Sequence, residues 1–154
     1  MRPKFISIGK IMLRHPAFLA LAILLSACAT AREATWKTVP GANIPYERAW
    51  IIVVNTVSEY FDLETIDGQS GYLRSGWKTT DTCWAGIFQG GMVPCKRAKV
   101  TVRVEERSPF KVKVKVEKEK ANPWTSYQTW VQDGNDERLQ NEIMDTLAGR
   151  LRNM

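Results

Sequence analysis

The chain has 154 residues, 44% of them hydrophobic and 25% charged, which gives room for one globular domain with a modest core. Its net charge is +6, but four of its 22 basic residues, Arg2, Lys4, Lys10 and Arg14, fall in the first 27 positions with no acid among them; beyond that segment 18 basic residues face 16 acidic ones, a net charge of +2. Overall basicity is therefore no argument for nucleic acid, and the one histidine, His15, lies in the same segment, which excludes histidine-dependent triads and imidazole metal ligands from the rest of the chain.

After those basic residues comes the apolar run "AFLALAILL", Ala17 to Leu25, then the small residues Ser26 and Ala27. This is the pattern of an export signal. Nine apolar residues rise only about 14 Å as a helix, roughly half of a bilayer's hydrocarbon thickness, too short for a permanent span. The stretch Leu25, Ser26, Ala27, Cys28 resembles the lipobox of bacterial lipoproteins. That resemblance implies a diacylglycerol on the Cys28 sulfur, cleavage before Cys28 and an N-acyl chain on the new terminus; the competing reading is an ordinary signal cut near "ACA" or "ATA". Each buried methylene contributes about 0.8 kcal/mol, and two chains make a stable anchor. Ala29 follows Cys28 where an aspartate would retain a lipoprotein in the inner membrane, so the expected location is the cell outer membrane, lipid-anchored on the periplasmic face.

Residues 28–43 include Pro40 and Gly41 and lack a sustained period, so they read as a lipidated tether of up to about 50 Å when extended. The domain is expected over 44–154. A first helix is predicted from Pro45 to Tyr60, with Tyr46, Ala49, Trp50, Val53, Val57 and Tyr60 at helical spacing and Asn43 as a possible cap. The β-branched run "WIIVV" also suits a buried strand; Glu47, Arg48 and Glu59 at one-face spacing favour the helix. Phe61–Ile66 and Tyr72–Thr80 read as a hairpin about the turn "DGQSG", and "DTCWAGIFQGGMVPC" reads as a long loop.

The clearest strand signal is alternation: Val100, Val102 and Val104 between polar residues, then Val112, Val114 and Val116 between lysines. A three-residue turn between Glu106 and Phe110 pairs Val104 with Val112, Val102 with Val114 and Val100 with Val116. It also pairs Glu105 with Lys111 and Lys99 with Glu117, and places Arg103 opposite Lys113 unfavourably. Leu139, Ile143, Leu147 and Leu151 recur at every fourth position of a second helix, Asp136 to Leu151, with Asp133 or Asn135 as cap. The order α-β-β-β-β-α gives an α+β two-layer domain, a four-stranded antiparallel sheet with two helices on one face.

Cys83 and Cys95 are expected to form a disulfide in an oxidising compartment; it would close a loop of about 13 residues and stabilise by roughly 3 kcal/mol on the chain-entropy model. No metal and no cofactor beyond the acyl chains is implied. The row "KVKVKVEKEK" suits a solvated sheet face or a guarded edge, with anionic lipid or polysaccharide as the functional alternative. Indole rings are enriched in binding surfaces, so Trp84, Trp124, Tyr127 and Trp130 are candidate binding residues, with Trp77 a further aromatic of interest. Asp62 and Glu64 sit two apart on a strand edge, an ordinary spacing, and no glycine-rich phosphate loop or nucleophile elbow is present.

The run "YERAWIIVVNTVSEYFDLETIDGQSGYLRSGWKTT", followed by strands and a terminal helix, resembles the helix-grip repeat of the BamC (NlpB) lipoprotein family of outer-membrane β-barrel assembly. The resemblance implies a helix-grip fold, with a groove between the long helix and the sheet for docking or a small ligand, and an envelope location. The expected function is a non-catalytic accessory or scaffold subunit of a cell-envelope complex, with a protein partner and no nucleic acid. The alternative is a periplasmic carbohydrate- or lipid-binding lipoprotein.

Overall fold

The computed structural model describes residues 33–86, 90–122 and 129–154. Seven strands and two helices follow in the order β1 (Lys37–Ala42), α1 (Tyr46–Ser58), β2 (Leu63–Asp67), β3 (Tyr72–Ser75), β4 (Lys78–Trp84), β5 (Met92–Arg107), β6 (Phe110–Ala121), β7 (Trp130–Asn135) and α2 (Glu137–Arg152). The four-stranded helix-grip sheet expected from the sequence is therefore wrong: the sheet has seven antiparallel strands. Two of the added strands come from segments read as irregular. Residues 37–42, assigned to the tether, pair with β6, and the supposed loop over residues 81–95 lies largely in β4 and the start of β5.

The long central pair explains the count. β5 has 16 residues and β6 has 12, more than one neighbour can cover. β5 therefore pairs with β3 along one stretch and β4 along another, while β6 pairs with β1 and β7 in the same manner. The valine register holds as expected, Val104 with Val112, Val102 with Val114 and Val100 with Val116. The turn differs: Arg107 pairs with Phe110 across Ser108 and Pro109, and an irregularity between Val104 and Glu106 gives Lys111 to Glu106 instead of Glu105. One extra residue on β5 lets a two-residue connection keep every valine on its face.

That face is the core. Ala98, Val100, Val102, Val112, Val114 and Val116 join Leu73, Val39 and Phe110 in one cluster with Trp50, Val53 and Val57 of α1 and Ile143, Leu147 and Leu151 of α2. The two helices are also joined directly: Arg150 of α2 forms a 2.8 Å ion pair with Glu59 and a 3.2 Å bond to the Thr56 hydroxyl, and Tyr60 meets Thr146 at 3.2 Å. Between α1 and the sheet, Val53, Val57, Val100 and Val102 are fully buried in one cluster.

Both helix starts depart from expectation. Pro45 occupies the N-cap of α1 without a side-chain bond, and Asp136, not Asp133 or Asn135, caps α2 by accepting from the Leu139 amide at 3.1 Å. Asn135 has another task. Its side-chain amide donates to the Thr35 hydroxyl at 2.8 Å and to Gln140 Oε1 at 3.0 Å, and its Oδ1 accepts from the Thr35 amide at 2.7 Å. Gln140, fully buried in α2, donates from Nε2 to the Val114 carbonyl at 2.8 Å and the Thr35 carbonyl at 3.1 Å. Thr35 is thereby tied to β6, β7 and α2 before β1 begins.

Candidate functional site

Two surfaces stand out once the core is assigned, the sheet face turned away from the helices and the tip of the β4–β5 hairpin. On the first, residues alternating with the buried valines carry the charge: Arg97, Lys99 and Arg103 on β5, and Lys111, Lys113, Lys115, Glu117 and Glu119 on β6. The lysine row is not a bare cationic strip. Lys99 and Lys115 share Glu117 at 3.4 and 3.2 Å, Lys113 meets Glu105 at 3.4 Å, and Lys111 meets Glu106 at 3.3 Å.

Indoles are interleaved with these charges. The Arg97 guanidinium lies between Trp77 at 4.6 Å and Trp130 at 4.2 Å while bonding Glu119 at 2.7 Å, an arrangement that fixes the planar cation on both faces and one edge. Lys99 also sits 4.5 Å from Trp77. Further along, Trp36 collects Lys115 at 5.2 Å, Lys113 at 5.5 Å and Arg103 at 5.7 Å. This is how the unfavourable Arg103–Lys113 pairing is tolerated: the ring's negative face lies between like charges.

The second surface is the hairpin tip. Cys83 and Cys95 form the expected disulfide, with Cα atoms 5.6 Å apart. Just beyond it Trp84 pairs with Met92 across the strands, and these side chains are 54% and 58% exposed. The Trp84 ring lies over Gly91, whose φ is +86°; a Cβ there would come within 3.2 Å of the indole. From Trp84 to Val93 no residue is charged.

Of the residues singled out from sequence, Trp130 and Trp77 meet at Arg97, and Trp84 stands apart at the hairpin tip. Trp124, Tyr127 and Cys28 lie outside the described residues. Trp36 and Arg103 were missed. Trp36 fell in the supposed tether, and only the β1–β6 register brings it over the lysine row; the alternation Trp36, Thr38 against Lys37, Val39 was the available signal.

The titratable groups with displaced pKa values lie in surface ion pairs, apart from Asp67, which is lowered by hydrogen bonds from Ser70 and Gln69. Asp133 is held below its ordinary value first by its bond from Lys120 at 2.7 Å, then by the neighbouring charge of Lys118. The bond from Lys96 likewise lowers Asp81, and the Arg150 guanidinium lowers Glu59. Among the described residues no cluster of three or more histidine, cysteine or acidic side chains is placed to hold a metal ion. No protein-family model matches the chain, and no curated protein matches it.

Proposed function

We propose that this chain is a non-catalytic outer-membrane lipoprotein, anchored through acyl chains on Cys28, that serves as an accessory or scaffold subunit of a cell-envelope complex. The sequence pattern ending at Cys28 supports the anchor. The single observation that carries the docking role is the stapled hairpin tip. Exposed tryptophan and methionine next to a disulfide, in a stretch without charged residues, match the chemistry of protein-interface anchors, which fill an apolar pocket. The partner it suits is an envelope protein offering an apolar cleft sized for one indole and one thioether.

A photo-crosslinking residue at position 84, in the full chain in intact membranes, tests this. One discrete protein adduct that is lost with Met92→Glu supports docking at the tip. Diffuse labelling, or an adduct that persists in Met92→Glu, sinks it.

The sheet face favours a second reading, a carbohydrate- or lipid-binding lipoprotein. Trp36 is 36% exposed beside three cations, a surface with both a stacking platform and a charge preference.

A further inference from the structure

The cations of the outer sheet face are not equivalent. Arg97, Lys99, Lys111, Lys113 and Lys115 each hold a carboxylate. Arg103, in the midst of them, makes neither an ion pair nor a hydrogen bond among the described residues. Its contacts are two rings, Tyr72 at 5.4 Å and Trp36 at 5.7 Å. Tyr72 is its cross-strand partner on β3, so the ring and the guanidinium are set side by side by sheet register.

A shallow cavity of about 460 Å³ opens at this point, lined by Ser70, Tyr72, Arg103 and Val104. That volume lies within the range of small-ligand sites. Ser70 on its rim donates its backbone amide to Asp67 Oδ1 at 3.1 Å. The local charge is unbalanced in one direction. Around Trp36 lie three cations, Lys113 paired with Glu105, Lys115 paired with Glu117, and Arg103 with no carboxylate among the described residues. An exposed guanidinium whose donors are unused, set beside two aromatic rings inside a positive field, can bind a planar anion attached to an apolar ring face.

We infer that this cavity binds an acidic glycan, a pyranose bearing a carboxylate. Its ring lies against Tyr72, and its carboxylate accepts two N–H donors from Arg103. The inference rests on the carbohydrate-binding reading above and narrows it to uronate-type sugars.

Titration calorimetry on the full chain in detergent tests it with short oligogalacturonates, neutral galacto-oligosaccharides of equal length, inorganic phosphate and a single-stranded oligonucleotide. The expected result is that only the oligogalacturonate binds, more weakly as salt rises. Arg103→Gln should lower that affinity about tenfold or more, and Arg103→Lys, which keeps the charge and loses the fork, should fall between. An unchanged thermal midpoint in both variants separates lost recognition from lost folding. Equal binding of neutral oligomers leaves the carbohydrate reading standing and removes the acidic assignment. Binding of none of the glycans removes both. Tighter binding of phosphate or oligonucleotide, or full affinity in Arg103→Gln, also overturns the site. The crosslink at position 84 is unaffected by Arg103→Gln, so the scaffold reading is decided separately.

Discussion

Gln140 shows how one buried amide can organise a fold. Its side chain satisfies the Val114 and Thr35 carbonyls and accepts from Asn135 with no exposure to water, so no simple apolar replacement is neutral. Gln140→Leu fills similar volume yet strands those partners, and should lower stability by about 1–3 kcal/mol in urea unfolding. A carboxylate can be read in the same way. Asp133 titrates below its ordinary value of 3.8 in the folded chain because Lys120 and Lys118 hold its charged form. Its contribution is complete above that ordinary value and is lost as pH falls through the lowered one, since the unfolded chain takes up the proton first. Urea unfolding stepped downward from about pH 5 should therefore show a shallower acid decline in Asp133→Asn than in the parent. The effect is small, because the pair is partly exposed.

At the scale of elements, the β4–β5 hairpin illustrates what a covalent staple does for a strand pair with little core. β4 is exposed along almost its whole length and has one partner, β5. Cys83→Ser with Cys95→Ser should cost roughly 3 kcal/mol on the loop-entropy model, and the loss of amide protection in hydrogen exchange should concentrate in residues 79–84 ahead of the valine strands. The same element shows why part of the fold was hidden in the sequence. Val100–Val104 and Val112–Val116 announce themselves because one face is buried and the other charged, which is the source of a period of two. β4 buries neither face, so "KTTDTCW" carries no such period, and the glycines and Pro94 beyond it suggest an irregular loop. β1 is six residues long and contains Pro40 and Gly41, which an edge strand accommodates and a sequence reader counts as breakers. The helices were legible because their apolar stripes face the cluster, yet the cap of α2 shifted by one residue once Asn135 was drawn to Thr35 and Gln140. The candidate sites divide similarly. Cysteine spacing and the expectation of an oxidising compartment made the disulfide readable, whereas Arg103 and Trp36 are 67 residues apart and acquire meaning only through the β1–β6–β5 pairing.

Taken together, the described residues form a single sheet built on a shared central ribbon, with the helices sealing one side and charge and indole patterning the other. Loss of the β5–β6 ribbon removes every other strand's attachment except that of β2 to β3, so unfolding should be a single cooperative transition, with near-ultraviolet and far-ultraviolet dichroism reporting coincident midpoints in the disulfide-bonded chain.

The knot of hydrogen bonds at Thr35 also sets a mechanical limit. If lipid sits on Cys28, Thr35 is seven residues further along the chain, a contour of about 25 Å at full stretch. A protein moored so closely would patrol only the water layer next to its own bilayer. Whatever it grips must come down to that surface, and a flexible spacer spliced in ahead of Glu33 would extend its range without altering its grip.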